Sequence, residues 1–98
     1  MNGLTLRLIL SDLRGAGNVG SILRTADACG VEQVYVCGYT PYPRITDDRR
    51  PPHVISSNTR SIAKTALGAE QTMTISHFAD TPSAITKAVE GGFEIIII

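Results

Sequence analysis

The hydrophobic positions of the chain predict four strands that alternate with helices. Short apolar runs predict buried strands at 4–10, 33–38, 72–78 and 93–98. Between them, apolar residues recur every three or four positions, which predicts helices at 18–29, 57–70 and 80–92. Gly68 is expected at the end of the second helix, and Thr81 is the expected N-cap of the third. Alternation of this kind favours an α/β fold with an open, mainly parallel sheet and helices on both faces. A length of 98 residues predicts a single domain over 1–98.

The helix predicted at 18–29 carries two residues that disfavour it. Asn18 is the expected N-cap, because its side chain can accept the free N–H groups of the first turn. Gly20 costs about 0.5–1 kcal/mol relative to alanine within a helix. Arg24 is expected in the first half, where the helix dipole repels cations. Either another element packs on Gly20 while Arg24 pairs with Asp27, or Gly20 lets a ligand approach and Arg24 faces an anion.

A long irregular stretch is predicted at 39–56, where four prolines interrupt the apolar pattern. A loop of this length in a small domain is usually functional or disordered. Basic residues concentrate around it: residues 14–64 hold seven basic and four acidic side chains, although the whole chain has no formal net charge. This part of the chain could meet nucleic acid or phosphate, or it could be ordinary solvated surface.

Cysteine and histidine usage predicts neither a disulfide framework nor a metal site. Cys29 and Cys37 fall on predicted helix and strand positions and are expected to be core thiols of a cytoplasmic protein. His53 and His77 lack the spacing of metal ligands, and neither is expected to be catalytic. No stretch is long and apolar enough to span a membrane, and the start of the sequence lacks the features of a signal peptide.

Residues 15–20, GAGNVG, match the G-x-G-x-x-G pattern of dinucleotide-binding loops. The polar stretch SDLR before the first glycine and the lack of an acidic residue after the second strand disfavour that function. A nicotinamide- or flavin-dependent oxidoreductase fragment is therefore one alternative, and a non-catalytic RNA-binding module is another. The start of the helix can still hold a phosphate, with Arg14 and Arg24 beside it.

The segment DLRGAGNVGSILRTADACGVEQVYVCGYTPYP, residues 12–43, resembles the first motif of the SpoU/TrmH RNA ribose 2′-O-methyltransferases of the SPOUT superfamily. The positions that match this motif are Asn18, Gly20, Arg24, Thr25, Ala26 and Gly30. KTALGAE, residues 64–70, is similar to the next recurring segment of the family. The resemblance implies the Rossmann-like front half of the SPOUT fold.

The resemblance also implies roles in RNA methylation. Arg24 and Asn18 are the implied catalytic residues, with Arg24 facing the target 2′-hydroxyl and Asn18 shaping the same pocket. Because a guanidinium stays charged, Arg24 would clamp the neighbouring phosphate or stabilise charge on the attacking oxygen. The residues expected to contact RNA are Arg14, Gly20, Arg24, Arg44, Arg49 and Arg50. The expected partner is tRNA or rRNA.

The sequence ends before two later motifs of the family, which form a carboxyl-terminal trefoil knot, bind S-adenosylmethionine and build most of the dimer interface. We therefore expect no cofactor-binding residue in this chain and no methylation by these 98 residues alone. The full-length enzyme is expected to use S-adenosylmethionine and to form a homodimer. The final apolar run, EIIII, supports the same interpretation, since a buried parallel strand usually leads into a ligand-binding loop.

Overall fold

The computed structural model describes residues 6–98 and contains a four-stranded sheet in which all pairings are parallel. The strands are β1 (Leu6–Ser11), β2 (Gln33–Cys37), β3 (Thr74–Phe78) and β4 (Glu94–Ile97). Their order across the sheet is β3-β2-β1-β4. The four predicted strands are confirmed, with shorter bounds; residues 4–5 of the first prediction lie outside the described part of the chain.

The register of the sheet brings the ends of three strands to one level. Ser11 pairs with Cys37, and Cys37 pairs with Phe78. The carboxyl ends of β1, β2 and β3 therefore form a common edge, which is where ligands bind in open parallel sheets. The loops that follow β1 and β2 meet at this edge.

Helices cover both faces of the sheet, as the pattern predicts. They are α1 (Ala16–Ala28), α2 (Pro52–Ala66), α3 (Ala69–Thr72) and α4 (Thr81–Glu90). The larger core joins α1, α2 and α3 to one face through Leu8, Leu10, Val19, Leu23, Val34, Val36 and Ile62. The smaller core joins Ala84 and Ala88 of α4 to Ile9, Tyr35 and Cys37 on the other face. Among residues 6–98, no helix has the length and hydropathy needed to cross a membrane.

Helix α2 begins at Pro52, five residues before the predicted start at 57. Pro51 is extended, and Pro52 occupies the first turn, where its missing N–H is not needed for a helical hydrogen bond. Proline thus starts this helix instead of extending the preceding loop. The helix ends at Ala66 and is capped by Leu67, which has a left-handed φ of 52°, whereas the sequence predicts the end at Gly68.

Helix α4 is capped by Asp80, whereas the sequence pattern favours Thr81. An oxygen of the Asp80 side chain accepts a hydrogen bond of 2.8 Å from the backbone N–H of Ser83. The hydrogen bonds from Ser83 lower the pKa of this exposed carboxyl. The predicted cap is wrong because Asp80, with its extended backbone, lies where a side-chain oxygen can reach the first turn.

Candidate functional site

Helix α1 follows the carboxyl end of β1 and carries most of the predicted site residues. Its N-cap is Gly15, in an extended conformation, and Asn18 is its third residue. The N–H of Val19 donates to the carbonyl of Gly15 at 3.1 Å, which places the helix start before Asn18. The predicted N-cap role of Asn18 is therefore wrong. Its side chain is exposed, and no side chain in the described range caps the first turn.

Gly20 faces α2 and is buried. A Cβ atom at Gly20 would overlap Oγ1 of Thr65 and lie 2.5 Å from the carbonyl oxygen of Ile62. Oγ1 of Thr65 donates to the carbonyl of Gly17 at 2.8 Å and so ties the two helices together. The expectation that RNA approaches Gly20 is wrong, because helix α2 occupies that space. The glycine is needed for close helix packing.

The same contact disfavours the dinucleotide-binding alternative. In such loops the third glycine allows the helix to pack closely on a strand. Here the third glycine of GAGNVG, Gly20, packs against another helix. Strand β2 ends at Cys37 and continues into Gly38, so the strand itself does not end in the acidic residue that binds a ribose hydroxyl in such folds.

Arg24 is an exposed cation in the second half of α1. It is the ninth of 13 helical residues, so the expectation that it lies in the dipole-disfavoured first half is wrong. No acidic side chain in the range 6–98 forms a salt bridge with Arg24. Asp27, the proposed partner, instead accepts a hydrogen bond of 3.1 Å from Oγ1 of Thr72. A shallow depression of about 350 Å³ beside Arg24 is lined by Ser21, Arg24, Thr25, Ala28, Cys29 and Thr65.

Thr40 joins the loops that follow β1 and β2 at the carboxyl edge of the sheet. Its buried Oγ1 lies 3.2 Å from the carbonyl oxygen of Leu10 and 2.8 Å from that of Cys37, and it donates to them. The same oxygen accepts the backbone N–H of Leu13 at 3.0 Å. One hydroxyl therefore holds both strand ends and the start of the β1–α1 loop.

Asp12 forms a second connection between these loops. Its Oδ1 accepts the backbone N–H of Tyr39 at 3.2 Å. Asp12 has a left-handed φ of 50° and Gly38 one of 63°. A Cβ atom at Gly38 would overlap the Asp12 carboxylate, so glycine is required there both by conformation and by space. The two loops are held in one arrangement.

Arg14 lies at this edge, immediately before the N-cap of α1. It is exposed, and together with Tyr39 it lines a depression of about 390 Å³. Arg14 and Arg24 do not line a common depression. Since a helix rises about 1.5 Å per residue, Arg24 lies about 12 Å along the axis from Ala16. The expectation that both arginines flank the start of the helix is therefore wrong for Arg24.

The loop of residues 39–51 is organised around Arg50. Its Nε and Nη2 donate to the two carboxylate oxygens of Asp48 at 2.9 and 2.6 Å. Its Nη1 and Nη2 also donate to the carbonyls of Tyr42 and Pro43 at 2.8 and 3.0 Å. The guanidinium carbon lies 3.5 Å from the centroid of the Tyr42 ring.

The Arg50 guanidinium is engaged in holding the loop, which disfavours the predicted contact with RNA. The hydrogen bonds from Arg50 hold the pKa of Asp48 well below its usual range. Arg44 and Arg49 are exposed, and their contact with RNA stays a prediction. The loop is also joined to α2, since the backbone N–H of Arg44 donates to Oγ1 of Thr59 at 2.9 Å.

Cysteine and histidine side chains differ in their surroundings. Cys37 is buried, and burial raises the pKa of its thiol. Cys29 is the exposed C-cap of α1, so the expectation of a core thiol is wrong for Cys29. His77 stacks on Tyr42 at a centroid distance of 4.7 Å, with Nε2 2.9 Å from the carbonyl oxygen of Gly38. Within residues 6–98 no three metal-ligating side chains form a group that could hold a metal ion.

Sequence reasoning missed the residues that shape the carboxyl edge. Asp12, Tyr39 and Thr40 carry no motif of their own and were not predicted as site residues. The available signal was the tetrapeptide GYTP after β2, in which a glycine directly follows a buried strand and precedes an aromatic residue. A glycine at that place often marks a turn that needs a positive φ.

An apolar groove of about 350 Å³ runs between α1 and β4. Its lining includes Leu6, Ile22, Ala26, Ile96 and Ile98, and none of its lining residues is charged. S-adenosylmethionine carries a carboxylate, an ammonium group and ribose hydroxyls, all of which need polar partners when bound. The groove therefore does not fit this cofactor.

The model of the SpoU rRNA Methylase family matches residues 5–98. Among solved structures, a protein assigned to the TrmH family of RNA methyltransferases, from Porphyromonas gingivalis, superposes with a TM-score of 0.60 and 22% identity over 91% of this chain. A protein assigned to a methylase family, from Neisseria gonorrhoeae, superposes with a TM-score of 0.61 and 15% identity over 96% of the chain. The chain spans 30% and 60% of the lengths of these two proteins. No curated protein sequence matches it at a significant level.

Proposed function

Because the chain belongs to the SpoU rRNA Methylase family, we propose that it forms the RNA-facing part of a ribose 2′-O-methyltransferase that acts on tRNA or rRNA. In this proposal the full-length enzyme is cytoplasmic, forms a homodimer and takes its methyl group from S-adenosylmethionine. The 98 residues bind RNA, but they neither bind the cofactor nor methylate RNA alone.

The observation that supports this proposal most strongly is the exposure of the Arg24 side chain together with its lack of an acidic partner among residues 6–98. A long cationic side chain without an acidic partner within the described residues is fully available to a phosphate. A planar guanidinium can donate two parallel hydrogen bonds to a phosphodiester. Its position on a helix that packs on both the sheet and α2 makes the backbone beneath it rigid. Arg24 is thus a cation on a rigid backbone, and the other residues that line its depression are uncharged.

The chemistry limits what Arg24 can do. An arginine does not deprotonate in proteins, so it cannot remove the proton of a ribose hydroxyl. It can hold the phosphate beside the target ribose, or stabilise negative charge that develops on the 2′-oxygen. Both roles need the RNA backbone to lie along the exposed face of α1. Arg14, at the start of the same helix, supports a second phosphate contact, because the first-turn N–H groups also favour anions.

An RNA-binding measurement tests the proposal. A fluorescein-labelled tRNA or rRNA fragment is titrated with the 98-residue chain, and anisotropy is followed at several salt concentrations. Arg24→Ala is expected to weaken binding several-fold and to reduce the slope of log K against log salt by about 1, as for one lost phosphate contact. Lys87→Ala is the matched control, since Lys87 is an exposed cation on α4, on the opposite face of the sheet.

Two results would contradict this assignment. Equal binding by the Arg24→Ala variant and the unmodified chain would show that Arg24 does not contact RNA. An equal loss in Lys87→Ala would show that any surface cation has the same effect. Calorimetry with S-adenosylmethionine tests the second half of the proposal: no heat of binding is expected from the 98-residue chain, and tight binding would place the cofactor site within it.

A further inference from the structure

We propose that Tyr39 is a stacking platform for one unpaired base of the RNA, with Arg14 beside it on the adjacent phosphate. This inference rests on the proposed function and names how part of the substrate is recognised. It assigns a binding role to the carboxyl edge of the sheet, separate from the depression beside Arg24.

Tyr39 is exposed in a way that the other tyrosines are not. Its relative exposure is 61%, compared with 6% for Tyr35 and 9% for Tyr42. The ring of Tyr35 packs against Phe78, and the ring of Tyr42 lies between Arg50 and His77. The Tyr39 ring has neither an aromatic nor a cationic neighbour of this kind among the described residues. Its apolar faces are therefore available to an incoming ring.

The exposed ring is carried by a rigid backbone. The Asp12 carboxylate accepts a hydrogen bond from the backbone N–H of Tyr39. The buried hydroxyl of Thr40 donates to backbone carbonyls at the ends of β1 and β2. The left-handed conformations of Asp12 and Gly38 fix the direction of both loops. Backbone conformations of this kind persist only where the surrounding structure determines them, and they concentrate at binding sites. A fixed platform loses little conformational freedom when a ligand binds.

The neighbours of Tyr39 match the parts of a nucleotide. Arg14 lines the depression on one side, where a phosphate can be held. Tyr39 also lines a second depression of about 420 Å³, to which Asn58 contributes. The amide of Asn58 is a hydrogen-bond donor and acceptor that can face the edge of a base. Tyr39 therefore borders two depressions, one shared with the Arg14 cation and the other with the Asn58 amide.

Stacking of this kind selects an unpaired base. In an RNA duplex the faces of each base are covered by its neighbours, whereas bases in loops and bulges can stack on aromatic side chains. Stacking is also tolerant of base identity, because every base has a π face. The platform is therefore expected to recognise a single-stranded position without fixing the sequence there.

The test compares one RNA strand in two states. A labelled single strand of about 12 nucleotides, within the usual range of site sizes, is titrated alone and after annealing to its complement. Tyr39→Ala is expected to weaken binding of the single strand by about 5- to 150-fold and to change duplex binding little. Tyr39→Phe keeps the aromatic faces and should bind as the unmodified chain does. Val89→Ala, which truncates a side chain of 62% exposure on α4, is the control.

Tyrosine emission gives an independent readout. The chain contains three tyrosines and no tryptophan, so quenching by a stacked base is visible. The unmodified chain is expected to lose part of its emission when the single strand binds. Tyr39→Phe should bind equally well but show much less quenching, because Tyr35 and Tyr42 are buried.

The outcomes separate this inference from the proposed function. If Arg24→Ala weakens binding while Tyr39→Ala binds the single strand unchanged, the platform is refuted and the RNA-facing role of α1 stands. If Tyr39→Ala weakens binding and Arg24→Ala does not, the platform stands and the role of Arg24 fails. If the chain binds neither form of RNA, both are overturned.

Discussion

The Gly20→Ala substitution tests the close contact between α1 and α2, on which the position of Arg24 depends. The added methyl group would overlap Oγ1 of Thr65 and lie 2.5 Å from the carbonyl oxygen of Ile62. Thr65 can rotate away, but it then loses its hydrogen bond to the carbonyl of Gly17. The Ile62 carbonyl belongs to the backbone and cannot rotate independently, so the helices must move apart.

The magnitude follows from three opposing effects. Overpacking of a well-packed interface costs about 1–3 kcal/mol, and the lost hydrogen bond about 0.5–1.5 kcal/mol. Replacing glycine by alanine inside a helix returns about 0.5–1 kcal/mol. The expected net loss in the free energy of unfolding is therefore about 0.5–4 kcal/mol. For a domain of this size, each 1 kcal/mol lowers Tm by about 4–8 °C.

Thermal unfolding followed by circular dichroism measures this loss, and the chain supplies its own control. Gly17 lies in the same helix, yet a Cβ there would meet no atom within 4 Å. Gly17→Ala is therefore expected to leave Tm unchanged or raise it slightly. Adding Thr65→Ala to Gly20→Ala should recover only part of the loss, because the Ile62 carbonyl remains. A Tm for Gly20→Ala at or above that of the unmodified chain would refute the close contact.

Three further predictions concern the loop and the thiols. Arg50→Lys keeps the charge but loses the two-pronged contact with Asp48, and it is expected to lower the free energy of unfolding by about 1.5–3 kcal/mol; chemical denaturation measures this, and an unchanged midpoint would contradict the role of Arg50. Because the pKa of Asp48 is lowered in the fold, its carboxylate stabilises the folded chain at pH values above about 3.9, the pKa of an unfolded aspartate. Below that pH the unfolded chain binds more protons than the folded chain. The stabilisation is therefore lost as pH falls toward the folded pKa. Asp48→Asn should therefore flatten the acid side of a stability–pH profile measured by denaturation, and an equally steep profile would count against the ion pair. Exposed Cys29 is expected to react with a thiol reagent in the native chain. Buried Cys37, whose pKa is raised by burial, is expected to react only in denaturant. Two rapidly reacting thiols in the native chain would show that Cys37 is accessible.

The fold could be predicted because its signals are local. Strands such as β1 and β2 are buried on both faces and are apolar at most positions, although β1 also carries Arg7. Helix α4 places Ala84 and Ala88 one turn apart on its buried side, a spacing visible in the sequence. These patterns need no knowledge of which elements meet, and strands that alternate with helices leave few arrangements other than a parallel sheet.

The site was predicted less well because its residues depend on distant contacts. Asn18 and Gly20 belong to the motif, but no local pattern indicates which side of α1 contacts α2. The contacting residues of α2, Ile62 and Thr65, lie more than forty positions later in the sequence. Arg50 and Arg24 have the same chemistry in the sequence. Only the path of the loop, which brings the carbonyls of Tyr42 and Pro43 to the guanidinium, separates the structural arginine from the exposed one.

The order of the strands has a consequence for synthesis of the chain on the ribosome. Of the four strands, β1 is made before the others, yet one of its two neighbours is β4, which is made after the others. Ile9 can therefore pair with Ile97 only after the other strands have been made. At a rate of translation of about 5–20 residues per second, this edge of β1 stays unpaired for about 4–20 s after β1 leaves the ribosome. During that interval β1, an apolar strand that is buried in the folded chain, can pair with a strand of another nascent chain. This edge of β1 is therefore covered only once β4 has been made and has paired with it.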